Sequence, residues 1–131
     1  MVGTTTYSSA MKSKLKVMAF EDGYDIEAIL ISGGIELKEV EFIQHWDTSK
    51  ALEQIHDFQP NILLLDFYIP PKNGLEVLLE TTKLCNLGEL TRPDVIVGMS
   101  SAMSKNEAML SNGADYGILK WDIAKLPIWN H

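Results

Sequence analysis

Apolar and polar positions in this chain switch repeatedly between a strand-like and a helix-like period. Leu15-Lys16-Val17-Met18-Ala19-Phe20 is a short apolar run and predicts a first strand. Ile26, Ile29 and Leu30 then share one helical face, and Gly33-Gly34 ends that helix. Val40, Phe42 and Trp46 fall on one side of a second, half-exposed strand, with Glu39, Glu41 and Ile43 on the other. Ala51, Leu52, Ile55 and Phe58 recur at helical spacing, with Asp47 or Thr48 as the expected cap. Pro60 breaks the chain before the apolar run 62–65, a third strand. After Gly74, Leu75, Leu78, Leu79 and Thr82 stripe a third helix. Residues 95–99 form a fourth strand, 106–112 a short fourth helix, and 117–119 a fifth strand that ends on Lys120. Repeated βα units of this kind require a parallel sheet with helices on both faces. Only 11 residues follow Lys120 and they contain Pro127, so a last helix is expected to be short or absent.

Composition narrows the function classes. With 131 residues the chain suits one domain with a real core: 14–131 reads as that domain, and the Thr/Ser-rich stretch 1–13 as a flexible leader without the apolar block of a secretory signal. A net charge of −7 argues against direct nucleic-acid binding, which needs a cationic face, and against an anionic membrane surface. No apolar run approaches the roughly 18–20 residues that span a bilayer. The single cysteine, Cys85, excludes an internal disulfide and favours a reduced, cytoplasmic setting.

The candidate chemistry sits where strands end. The third strand stops at Asp66, and Pro70-Pro71 and Asn73-Gly74 force a loop before the next helix. Glu21-Asp22 closes the first strand and Lys120 the fifth. In an open α/β sheet, ligands bind at these carboxyl ends. Carboxylates and a lysine delivered there describe a site for a cation and a phosphoryl group.

In that order and spacing, these residues resemble the receiver domain of two-component response regulators, over about 14–120. The family pattern matches at the acidic pair Glu21-Asp22, at Asp66 as phosphoacceptor, at Pro70 four positions on and Gly74 eight positions on, at Ser100 as the hydroxyl ending the fourth strand, and at Lys120. The resemblance implies a flavodoxin-like, doubly wound, five-stranded parallel sheet in the order 2-1-3-4-5. It implies a signalling protein rather than an enzyme, one that takes a phosphoryl group on Asp66 from a histidine kinase or phosphotransfer protein and then changes its affinity for a downstream protein target. The implied cofactor is Mg²⁺, held by Asp22, Asp66 and the Tyr68 backbone carbonyl, with Glu21 acting through a water. Lys120 and Ser100 would each meet a phosphoryl oxygen.

The chain also departs from the family. Trp121 follows Lys120 where a proline is usual, and Gly117 stands where an aromatic often changes rotamer with the switch, with Tyr116 one place earlier. Ser101 competes with Ser100 for the hydroxyl role. These departures motivate a second reading, a pseudo-receiver that binds proteins without phosphorylation. An Asp-nucleophile phosphatase ranks lower, because Tyr68 occupies the position of its general acid. A flavin-binding domain ranks lower too, because Glu21-Asp22 would repel a phosphate after the first strand.

Overall fold

The computed structural model describes residues 14–129, so the expected leader 1–13 lies outside the described residues. Five strands, β1 (Leu15–Phe20), β2 (Val40–His45), β3 (Ile62–Leu65), β4 (Val95–Gly98) and β5 (Tyr116–Gly117), form one sheet in the order β2-β1-β3-β4-β5. Every neighbouring pair is parallel, with Phe20 opposite Leu65 and Leu65 opposite Gly98 at the site end. The expected fold and strand order are therefore present. Four helices connect the strands: α1 (Ile26–Ser32), α2 (Ala51–Phe58), α3 (Gly74–Asn86) and α4 (Met103–Ser111).

Side chains alternate across β1, and the two parities build two cores. Met18 and Phe20 pack with Leu63, Leu65, Ile55 of α2, Val77 and Leu78 of α3, and Met109 of α4. Val17 and Ala19 pack on the opposite face with Leu64, Val97, Ile26 and Leu30 of α1, and Ile123. β3 is covered on both faces, which is why its four residues are all apolar and all buried. A 3₁₀ helix, Lys120–Lys125, stands where the sequence predicts a last helix that is short or absent. Beyond it Trp129 turns back into the second core, 7% exposed, and donates its indole N–H to the Ile123 carbonyl at 2.8 Å.

Several local expectations need correction. Neither Asp47 nor Thr48 caps α2; Lys50 occupies that position without a side-chain bond. Asp47 instead accepts from the Ser49 N–H and hydroxyl. Thr48 is spent elsewhere: its hydroxyl donates to the Lys72 carbonyl at 2.7 Å and accepts the Lys72 N–H at 2.8 Å, fastening this loop to the one that follows Asp66. The buried stripe of α3 is Gly74, Val77, Leu78 and Thr81, and both Leu79 and Thr82 point to solvent. The rotation of α3 is set by its first turn, where the Asn73–Glu76 capping box starts the helix at Gly74 and presses that glycine against the sheet. α4 begins three residues earlier than expected, at Met103, so Asn106 lies inside the helix and is fully buried. β5 is displaced toward Tyr116. Ile118 still donates to the Gly98 carbonyl at 2.9 Å, but its own carbonyl turns away to the Asn106 amide. Trp46 lies just past β2 and is 53% exposed, outside the strand pattern it was expected to continue.

Candidate functional site

β1 and β3 are neighbours, and the chain leaves them in opposite directions, toward β2 on one side and β4 on the other. Ligands bind at such a switch point because the diverging loops open a crevice there. Glu21 and Asp22 follow β1 and Asp66 follows β3, and one carboxylate oxygen from each lies within 4.8 Å of the others. The Asp66 N–H continues the ladder, donating to the Phe20 carbonyl at 3.0 Å, so its side chain leaves the sheet at a fixed height.

Gly74 is what lets α3 come this close. A Cβ there would stand 2.1 Å from the Asp66 carbonyl oxygen, a backbone atom that has nowhere to move. The Gly74 N–H instead donates to the Phe67 carbonyl at 3.0 Å and ties the loop shut behind the carboxylate. Gln44 does the corresponding work under the acidic pair. Its amide donates to the Glu21 and Tyr24 carbonyls at 3.0 and 2.8 Å and accepts the Ile26 N–H at 3.0 Å. The sequence reading missed Gln44; its signal was a polar residue in phase with Val40 and Phe42 on the inward side of β2.

The two members of the acidic pair differ. Glu21 is 1% exposed, and its Oε2 accepts the Gly23 and Tyr24 N–H groups at 2.8 and 3.2 Å. Asp22 is exposed. Lys120, 4% exposed, places Nζ 2.7 Å from Glu21 Oε1 and 3.7 Å from Asp66 Oδ2, so the lysine leans toward Glu21. The Glu21 contact is an ion pair without hydrogen-bond alignment, which leaves the buried Oε1 short of a directed donor. Tyr24 and Trp121 stack edge to face at 4.7 Å, with the Lys120 ammonium 4.9 Å from the Tyr24 ring centre. This aromatic cover shields the lysine from water and raises the worth of its ion pairs.

Three carboxylates converge here, and two of them, Glu21 and Asp66, share the Lys120 ammonium. Burial, and next the negative charge of Glu21, push the Asp66 carboxyl up to about 6 against the opposing pull of Lys120. The donor set is hard oxygen throughout, it carries excess negative charge, and one buried oxygen lacks a directed partner. Those features fit a small divalent cation such as Mg²⁺ or Mn²⁺. Of the two serines, Ser100 is fully buried past the end of β4, its Oγ accepting the Ala102 N–H at 3.1 Å, whereas Ser101 is exposed. Tyr68 turns its ring outward, 56% exposed and edge-on to Phe67. Among the described residues no helix is long and apolar enough to cross a membrane.

No protein-family profile matches the chain. No curated protein matches it either. Solved structures do. A CheY-like response regulator receiver domain from Methanospirillum hungatei is 25% identical, with 83% of this chain and 82% of that one covered, at a TM-score of 0.61. The phosphorylated cyanobacterial phytochrome response regulator RcpA is 19% identical, with 86% and 85% covered, at 0.63. The Mn(2+)-bound form of response regulator Rcp1 is 19% identical, with 79% of each chain covered, at 0.59. Strand order, the acidic crevice at the switch point and these likenesses agree: the fold of this chain is that of the receiver domains of response regulators.

Proposed function

We propose that this chain is a phosphorylation-activated receiver in which Asp66 accepts a phosphoryl group from a phosphohistidine of a kinase or phosphotransfer protein. The observation that carries this reading is the convergence of the Glu21, Asp22 and Asp66 carboxylates within 4.8 Å, with buried Lys120 against them. An Asp66 oxygen attacks phosphorus, the P–N bond breaks, the imidazole leaves with its electron pair and takes up a proton, and an acyl phosphate remains. Repulsion between carboxylate and phosphoryl oxygens opposes this attack. Asp22, Asp66 and the Tyr68 carbonyl would hold Mg²⁺, with Glu21 behind them, and the bound ion would neutralise part of that charge. Lys120 supplies a compact positive charge to a phosphoryl oxygen, and Ser100 a hydroxyl to another. The gain of charge at Asp66 then biases the surrounding loops between two arrangements and changes the binding of a protein target. The chain acts in this reading as a cytoplasmic signalling module rather than an enzyme. Two of the similar structures are a phosphorylated and a Mn(2+)-bound response regulator, which is the pairing of chemistries proposed.

Intact mass after incubation with a small-molecule phosphodonor tests the reading, with and without Mg²⁺, on wild type and Asp66→Asn. A single phosphoryl adduct that requires both Mg²⁺ and Asp66 supports it. No adduct, under conditions that label an established receiver, would replace it with the pseudo-receiver reading, which the glycine at 117 favours.

A further inference from the structure

Asn106 is the one buried amide side chain on α4, and it is fully withdrawn from solvent. Its Oδ1 accepts the Ser100 N–H at 2.6 Å, and its Nδ2 donates to the Ser100 carbonyl at 2.9 Å and to the Ile118 carbonyl at 2.8 Å. The three bonds fix the orientation of the amide, because a flipped group would set a donor against the Ser100 N–H. One side chain thus holds both backbone polar groups of Ser100, the residue with the hydroxyl, and ties them to Ile118, just past β5 and two residues before Lys120. Gly117 explains why the tie comes from the helix. A Cβ at 117 would lie 2.8 Å from the Asn106 carbonyl oxygen and 3.0 Å from Leu110, so β5 runs too close to α4 for a side chain of its own.

We infer that Asn106 is the positioning residue that aims Ser100 at the phosphoryl group on Asp66 and couples that turn to the backbone leading to Lys120. The inference rests on the phosphoacceptor reading of Asp66. Buried amides in low dielectric are costly unless fully bonded, and a fully bonded one locks its partners into one arrangement. When Ser100 shifts toward a phosphoryl oxygen, the amide must follow, and through it the Ile118 carbonyl and the backbone leading to Lys120.

The test is the rate of adduct formation at Asp66 in wild type, Asn106→Leu, Ser100→Ala and the double variant, with Mg²⁺ affinity measured on each. Asn106→Leu should slow labelling about tenfold, as loss of a supporting hydrogen-bond partner does elsewhere, while Mg²⁺ affinity stays at the wild-type value. In the Ser100→Ala background the same change should add less than it costs in wild type, because Asn106 acts largely through Ser100. Asn106→Asp keeps the outline of the side chain and loses at least one donated bond, so it serves if the leucine variant does not fold. In wild type, the side-chain amide protons of Asn106 should shift in NMR spectra when Asp66 is labelled. Wild-type labelling rates in the Asn106 variants, additive losses in the double variant, or unmoved amide protons would overturn the inference alone. A wild type that takes no phosphoryl group would overturn the reading beneath it as well.

Discussion

Asp66→Asn should stabilise the fold, and the size and pH profile of the gain follow from the site. The carboxyl is 4% exposed and held at about 6, against about 3.9 for an aspartate in an unfolded chain. The folded protein therefore binds the proton more tightly than the unfolded one between those values. The contribution of this group to stability is full below about pH 4, declines as pH rises through about 6, and levels off above that. The gap is roughly two pH units at about 1.4 kcal/mol each, so ionised Asp66 costs the wild type about 3 kcal/mol at neutral pH. The attraction to Lys120 is already counted, since it acts on the same carboxyl in the opposite direction. Asparagine has the same outline and no charge. The variant should match the wild type at about pH 4 and exceed it by about 2–3 kcal/mol at about pH 7.5. Urea unfolding followed by circular dichroism, in chelator and at several pH values, reads this as a midpoint gain of at least about 1 M. The difference between the two proteins removes the titration of every other acid. Adding Mg²⁺ in place of chelator should then raise the wild type more than the variant, since binding to the folded state alone stabilises it. A variant that is no more stable at about pH 7.5, or a difference that does not change with pH, would refute the claim that burial and Glu21 strain the Asp66 charge.

Gly74→Ala should lower stability by about 3 kcal/mol, because its Cβ meets the Asp66 backbone rather than a side chain that can swing away; an unchanged thermal midpoint would refute this. Asp22→Ala should leave stability within about 0.5 kcal/mol, because the residue is exposed, yet weaken Mg²⁺ binding by calorimetry at least about tenfold. Unchanged binding would remove Asp22 from the cation site.

Much of this was legible because the strands at the centre announce themselves. Ile62–Leu65 is apolar without interruption since it is covered on both faces, and its end fixes where Asp66 must emerge. Glu21, Asp66 and Lys120 could be placed from strand ends, and Ser100 from the family pattern with Ser101 as its rival; the structure buries Glu21, Asp66, Ser100 and Lys120. What sequence did not reveal depends on long-range contact. The α3 stripe was misread by one position on the wheel, because the rotation of that helix is decided by Gly74 meeting Asp66, eight residues away, and Leu75 and Val77 are equally apolar. Thr48 has the composition of a cap, but its hydroxyl is claimed by Lys72 across a loop. Asn106 and Gln44 looked like ordinary polar residues. Their roles lie in carbonyls brought to them by other strands, which no local period records.

The asymmetry between Glu21 and Asp66 ties these observations together. Both carboxylates are buried and both reach one lysine, yet their surroundings differ. Glu21 has two backbone N–H groups on Oε2 and the ammonium at 2.7 Å from Oε1, so its charge is met mostly by the protein. Asp66 shares the same lysine at 3.7 Å and sits beside the charge of Glu21. The unmet charge of the crevice therefore gathers on the Asp66 carboxylate and on exposed Asp22 beside it, the side open to solvent. A proton, a divalent cation, or a shift of Lys120 away from Glu21 would each relieve it. On the proposed reading this is how the nucleophile is made responsive: the ammonium sits nearer the supporting carboxylate and leaves the reacting one in want of positive charge.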